Sequence, residues 1–166
     1  EMEKKVGNKV IKLIEVGPAH TNGDILVHVP SERVVFTGDI LFIEGHPILW
    51  AGPVKNWIDA CEKIISMDVE FVVPGHGPVT DNKGVQAVKD YLIYVDTESR
   101  KRYQAGMSAL ETAKDINLDL FSTWGDEERI AVNVNSLFRE YKGEEKREEI
   151  TLLFQQMAEL KGLKDE

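Results

Sequence analysis

Three residues of this sequence, His20, Asp39 and His76, are of types that bind metal ions, and each follows an apolar run. Imidazole nitrogen and carboxylate oxygen suit zinc, iron or manganese. Three protein ligands with one open coordination position are typical of catalytic metal sites, in which the ion activates water. Each residue also has a simpler explanation, since Asp39 could cap a turn and His76 could be an ordinary turn residue between glycines. Spacing alone therefore leaves both interpretations open.

The runs before these residues are rich in β-branched and aromatic side chains, which predicts strands. The run Val34–Phe42 begins as a buried strand, and Gly38 would free the backbone to turn so that Asp39 leaves the sheet. The other predicted strands are residues 9–16, which precede the loop of His20, a hairpin of residues 24–29 and 33–37, and residues 70–73, which precede His76. Three strands are thus expected to end at the three candidate ligands.

Apolar residues with helical spacing predict five helices. The first begins at Pro53 and ends near residue 67, and because a strand follows it, the order strand, helix, strand indicates a crossover unit of an α/β layer. The others are a long helix opened by Thr80 or Asp81, a helix with a capping box of Ser108 and Glu111, a helix capped by Asp126, and an amphipathic helix over residues 144–161. The last helix is expected to bury its apolar stripe on its own domain or against a partner.

The composition is that of an ordinary soluble chain of one domain's length, with 166 residues, 42% of them hydrophobic and 30% charged. A formal net charge of -9 argues against nucleic acid or an anionic membrane surface as a partner. No apolar run approaches the ~20 residues of a membrane-spanning helix. The single cysteine, Cys61, excludes an internal disulfide and fits a reducing compartment, so we expect a cytoplasmic protein.

Three segments resemble the metal motifs of one family, in the same order. They read Gly-Pro-Ala-His-Thr-Asn-Gly-Asp at residues 17–24, Val-Phe-Thr-Gly-Asp at residues 35–39 and Val-Pro-Gly-His-Gly-Pro at residues 73–78. These segments resemble the third, fourth and fifth metal motifs of the metallo-β-lactamase-fold hydrolases, and the likeness extends over residues 10–141. The resemblance implies metal-dependent hydrolysis of a small-molecule substrate, by attack of activated water on an ester, thioester, lactone or amide-type bond.

The resemblance also implies a role for each candidate ligand. His20 would be a ligand of the first metal ion, Asp39 the carboxylate that bridges two ions and the catalytic residue, and His76 a ligand of the second ion. Zinc is the expected ion, with iron or manganese as alternatives, and its role would be to lower the pKa of a water molecule and to polarise the substrate. His46 matches no ligand position, but it lies in the loop after Asp39, where it could contact substrate.

The chain departs from the family in one respect, because the family's first motif, His-x-His-x-Asp-His, is absent. The ligand set for one or two ions is therefore incomplete. The implied fold is the C-terminal half of an αββα sandwich over residues 1–142, with an additional amphipathic helix over residues 143–166. Such a half would expose the inner face of its sheet, where Val35 or Phe36, and Val72 or Val73, would point.

An exposed sheet face predicts a partner, and we expect either a homodimer or a missing N-terminal half to cover it. We expect the isolated chain to be weak or inactive as a hydrolase. The competing hypothesis is a non-catalytic assembly module that dimerises and retains part of the metal site. A third interpretation, an unrelated α/β domain whose three turns match by chance, would be supported if the candidate ligands lay far apart.

Overall fold

The computed structural model describes residues 1–145 and 148–162, which form one mixed sheet with helices on one of its faces. The strands are β1 (Met2–Val6), β2 (Lys9–Glu15), β3 (Ile25–Val29), β4 (Val34–Phe42) and β5 (Phe71–His76). The helices are α1 (Val54–Ile65), α2 (Asn82–Gln104), α3 (Ala109–Asp115), α4 (Ile130–Lys142) and α5 (Ile150–Gly162). Strands β1 to β4 are antiparallel neighbours in chain order, and β5 is parallel to β4. The predicted α/β class and the crossover through α1 are confirmed.

Strand β1 corrects the sequence analysis, which predicts no strand before residue 9. Its five residues are all exposed and three of them are charged, so the strand shows no apolar pattern. Backbone pairing alone places it at the edge of the sheet, with Met2 opposite Leu13 and Val6 opposite Lys9. Lysine side chains on such an edge discourage pairing with other chains.

Asp39 also lies differently from the prediction. We expected it to follow the end of a strand, but β4 continues through it to Phe42. The ladder between β4 and β5 is irregular on both sides of Gly38, whose φ is +51°, and pairing resumes where Phe42 lies opposite His76. Asp39 therefore occupies the irregular part of a strand, where the backbone departs from regular pairing without leaving the sheet.

The predicted helices exist, but two of them begin elsewhere. The Asp81 carboxylate caps α2, and Ser108 and Glu111 form the predicted capping box of α3. Asp126 does not cap a helix with its side chain, because a short 3-10 turn (Glu127–Arg129) intervenes and α4 begins at Ile130. Helix α5 begins at Ile150, not at residue 144, and residues 146–147 of the predicted helix lie outside the described residues. No helix among the described residues has the length and apolar character needed to span a bilayer.

The two faces of the sheet have different surroundings. On one face, Leu26, Val35 and Val72 have no exposed surface and share a hydrophobic core with Trp57 and other residues of the helices. The opposite face is open, and its exposed apolar side chains include Ile25, Phe36 and Phe71, at 48%, 44% and 49% exposure. The expected uncovered apolar face is therefore present, with Phe36 and the half-buried Val73 on it, whereas Val35 and Val72 point into the core.

Candidate metal centre

The structure brings the three predicted ligands together around Asp39. The Nε2 atom of His20 lies 3.5 Å from Oδ2 of Asp39, and the Nε2 atom of His76 lies 3.4 Å from Oδ1. Both distances exceed the roughly 2.7–3.2 Å of an ordinary N–H···O hydrogen bond. Two ligands bound tetrahedrally to one zinc ion at about 2.0–2.1 Å lie about 3.4 Å apart. The spacing therefore resembles that of two ligands of one ion, and the large separation that would have supported a chance match of three turns is not found.

The three donors form two pairs that share one carboxylate. Each imidazole faces a different oxygen of Asp39. Among the described residues, no group of three or more His, Cys, Asp and Glu side chains is arranged to hold a metal ion. This chain therefore supplies one histidine and one carboxylate oxygen per pair, fewer than the three protein ligands of a catalytic zinc site.

His20 is oriented by a backbone carbonyl behind it. Its Nδ1 atom lies 2.8 Å from the carbonyl oxygen of Ile48, and its side chain is only 8% exposed. A carbonyl only accepts hydrogen bonds, so Nδ1 carries the proton and, in the neutral ring, Nε2 keeps its lone pair toward Asp39. A hydrogen bond of this kind fixes the tautomer and the ring plane of a metal-binding histidine.

The Ile48 carbonyl is itself held in place by α4. Asn133 accepts a hydrogen bond from the backbone N–H of Leu49 at 2.7 Å and donates one to the carbonyl of Pro47 at 2.9 Å. Ser136 donates to the carbonyl of Leu49 at 2.6 Å. The sequence gives no sign of this role of Asn133, because a polar residue in an apolar helical stripe does not reveal its partners, and those in this loop lie more than 80 residues away.

The loop that carries His20 is shaped by Asp24. The carboxylate of Asp24 accepts hydrogen bonds from the backbone N–H and the hydroxyl of Thr21, both at 2.8 Å, and from the backbone N–H of Ala19 at 3.2 Å. An aspartate that binds backbone N–H groups in this way stabilises a tight turn. Asp24 stands within the motif of residues 17–24, but the sequence analysis gave it no role.

Asp39 and His76 approach each other because the residue beside His76 is glycine. A Cβ atom on Gly75 would lie 2.3 Å from Oδ1 of Asp39 and 2.6 Å from the carbonyl carbon of Gly38. The next glycine, Gly77, has a φ of +90°, a conformation that favours glycine. The two glycines around His76 therefore permit a close approach and a turn, respectively.

The candidate centre is closed on the side of Trp57 and open to solvent on the side of Asp39 and His76. Trp57, which has no exposed surface, packs its ring edge-on against His20 at 5.7 Å and donates a hydrogen bond to the carbonyl of Ile40. The side chains of Asp39 and His76 are 42% and 53% exposed. Solvent and small molecules can therefore reach the carboxylate from the open side.

His46 does not contact this opening. It has no exposed surface, and its Nδ1 atom lies 3.1 Å from the hydroxyl of Tyr91. Burial raises the pKa of Tyr91, so the phenol stays protonated at neutral pH. The expectation that His46 contacts substrate is therefore wrong, because the loop that carries it turns toward α2 and not toward the candidate centre.

Comparison with known proteins places these features in a family context. A family model described as the metallo-beta-lactamase superfamily matches residues 4–76, which include all three candidate ligands. A beta-lactamase-like protein 2 homolog from Caenorhabditis elegans is 31% identical over 90 residues, covering 54% of this chain and 29% of the relative. A hydroxyacylglutathione hydrolase from Brucella ovis is 37% identical over 57 residues, covering 34% of this chain and 22% of the relative.

A solved structure matches over a longer part of the chain. The crystal structure of a metallo-beta-lactamase family protein from Thermus thermophilus has a TM-score of 0.63, with 13% sequence identity, and covers 86% of this chain and 48% of its own. At this identity the likeness concerns the fold alone. The chain spans less than a third of the two curated relatives and about half of the solved structure.

Proposed function

Because this chain belongs to the metallo-beta-lactamase superfamily, a family that includes hydrolases, we propose that it forms part of a metal-dependent hydrolase in which His20, Asp39 and His76 bind the metal. The observation that carries the proposal is the arrangement of Asp39, whose two oxygens face two imidazole Nε2 atoms at 3.5 and 3.4 Å. Zinc is the proposed ion, with iron or manganese as alternatives, since imidazole and carboxylate donors serve all three.

The residues of this chain would contribute binding and orientation. When bound, zinc supplies Lewis acidity, which lowers the pKa of a coordinated water and polarises the bond to be cleaved. His20 keeps its Nε2 lone pair directed at the site, since Ile48 holds Nδ1. Asp39 supplies negative charge between the two imidazoles, and Trp57 excludes water from the underside. The open side leaves room for a substrate.

The proposed substrate is a small molecule with an ester, thioester, lactone or amide-type bond. The Brucella ovis relative is named a hydroxyacylglutathione hydrolase. An acyl group carried on the thiol sulfur of glutathione is a thioester. Thioesters are therefore the first class to assay. For the compartment we propose the cytoplasm, because the one cysteine, Cys61, is free and forms no internal disulfide, which fits a reducing compartment.

The proposal includes a partner, because two donors per pair fall short of a catalytic ligand set. Either a second copy of this chain or an N-terminal half would supply the remaining donors and cover the open sheet face. That face also favours a second candidate function, a non-catalytic assembly module, since exposed apolar residues such as Ile25, Phe36 and Phe71 are typical of an interface.

One experiment separates the two functions. Zinc content and native mass are measured on the purified chain, on His76→Ala and on His28→Ala, a control in β3 outside the site. If the chain takes part in metal chemistry, zinc is retained by the chain and the control and lost by His76→Ala. A tight dimer whose zinc content is negligible, or unaffected by His76→Ala, contradicts the metal site and supports the assembly module.

A further inference from the structure

We infer that Phe42 and Arg129 are positioning residues that fix the ring plane of His76 for metal binding. This inference rests on the proposed metal site and adds residues that no motif contains. The rings of Phe42 and His76 are stacked, with centroids 4.4 Å apart and planes within 9° of parallel. The Phe42 side chain is 2% exposed, whereas that of His76 is 53% exposed. A buried ring therefore supports an exposed one.

An exposed histidine needs such support because its ring rotates easily. The torsion that turns an imidazole about its Cβ–Cγ bond has broad minima, so rotamer preference alone does not fix the ring plane. His20 is fixed by the hydrogen bond from Nδ1 to Ile48. His76 is fixed instead by contact with an aromatic face, and a stacked arrangement leaves the edge of its ring, including Nε2, free to face Asp39.

Phe42 contacts both candidate histidines and is itself enclosed. Its ring centroid lies 5.5 Å from that of His20 and 6.5 Å from that of Trp57. The guanidinium of Arg129 lies over the ring, with Cζ 5.4 Å from the centroid, which is a cation–π distance. The orientation of Phe42 therefore depends on groups from the loop after β2, from α1 and from the turn before α4.

The guanidinium of Arg129 is held in place by two polar contacts. It donates a hydrogen bond to the carbonyl of His46 at 2.8 Å and pairs with the carboxylate of Asp126 at 2.9 Å. The same two segments are also joined by a backbone hydrogen bond, in which the N–H of His46 donates to the carbonyl of Gly125 at 2.9 Å. Arg129 thus links the C-terminal part of the chain to the candidate centre through Phe42.

This arrangement predicts that metal affinity depends on residues that do not touch the metal. Groups that orient a metal ligand typically change metal affinity by about 10- to 100-fold when they are removed. We expect Phe42→Leu to weaken cobalt(II) binding by about tenfold, since leucine fills similar space but cannot stack. Arg129→Met, which keeps the length of the side chain but not its charge, should weaken cobalt(II) binding less than Phe42→Leu does. Phe42→Tyr, which keeps a ring that can stack, should bind cobalt(II) nearly as tightly as the original chain.

The test is a titration of the full chain with cobalt(II), followed by its visible absorption spectrum, which reports ligand geometry. Urea unfolding without metal gives the stability of each variant. Phe138→Leu is the matched control, because Phe138 is a buried aromatic of α4 that packs on Tyr103 and Tyr141. Positioning predicts weaker binding and an altered spectrum for Phe42→Leu only, although both variants lose stability.

The results also separate this inference from the proposed function. If His76→Ala weakens cobalt(II) binding and Phe42→Leu binds as tightly as the original chain, the positioning role is wrong and the metal site stands. If Phe42→Leu and Phe138→Leu weaken binding equally, the effect is one of general stability and the positioning role is also wrong. If His76→Ala has no effect, the metal site itself is wrong.

Discussion

Replacing Gly75 by alanine tests how closely the strands that carry Asp39 and His76 must approach. The new Cβ atom would lie 2.3 Å from Oδ1 of Asp39 and 2.6 Å from the carbonyl carbon of Gly38. The Asp39 carboxylate can rotate away, but the atoms of Gly38 in contact belong to the backbone and cannot, so the two strands must separate. An ordinary contact begins at 3.4 Å, which requires a displacement of about 0.8 Å.

The expected cost follows from this displacement. Overpacking of this kind costs about 1–3 kcal/mol, and the gain of about 0.4–1 kcal/mol from a stiffer unfolded chain does not offset it. We expect Gly75→Ala to lower the free energy of unfolding by about 1–2 kcal/mol, which lowers the melting temperature by about 2–8 °C for a chain of this length. Because Oδ1 of Asp39 must also move from its position 3.4 Å from His76, cobalt(II) binding should weaken by at least about tenfold.

Urea unfolding and cobalt(II) titration of the two variants Gly75→Ala and Gly23→Ala check this reasoning. Gly23 is the matched control, because it lies in the loop of His20, has no positive φ, and a Cβ atom there would meet nothing within 4 Å. We expect Gly23→Ala to leave both quantities nearly unchanged. If Gly75→Ala proves as stable as the original chain and binds cobalt(II) equally well, the close approach of the strands does not limit the site.

Two further substitutions test the surroundings of the centre. Asn133→Leu should lower the free energy of unfolding by about 3 kcal/mol in urea, since the buried backbone groups of Pro47 and Leu49 lose their partners, at about 1–3 kcal/mol for each unsatisfied group. Glu140→Gln should stabilise the chain at pH 7 and lose this advantage near pH 4, as followed by thermal unfolding at each pH. Burial raises the pKa of Glu140 in the folded chain, so the stability that its protonated form provides is lost as the pH rises through that pKa. Glutamine carries no charge at any of these pH values and keeps an oxygen that accepts a hydrogen bond from the backbone N–H of Val54.

The sequence predicts most elements because local signals and tertiary structure agree in them. The capping box of Ser108 and Glu111 is read from four consecutive residues, and the structure forms it. The apolar stripe after Pro53 predicts α1, whose buried residues include Trp57 and Ile64. The candidate ligands were found in the same way, since each follows a run of β-forming residues.

The remaining features depend on partners that are distant in the sequence. Strand β1 has a hydrophilic sequence, and only pairing with β2 makes it a strand. Asp126 has the residue type of a cap, but its carboxylate pairs with Arg129, three residues later. Asn133 contacts the loop of Pro47, and Phe42 contacts His76. Neither partner can be predicted from the residue type alone.

The open sheet face and the candidate metal centre lie on the same strands, and this limits which partner could serve both, if the proposal holds. Phe36 precedes Asp39 by three residues in β4, and Val73 precedes His76 by three residues in β5; Phe36 and Val73 are directly paired. The exposed apolar surface therefore adjoins Asp39, the carboxylate of the proposed metal site. A polypeptide that covers Phe36 would pass within a few residues' length of the candidate metal ligands, so one partner could supply both the cover and the additional ligands that we propose. A monomer that binds zinc with full catalytic stoichiometry would contradict this link between the face and the site.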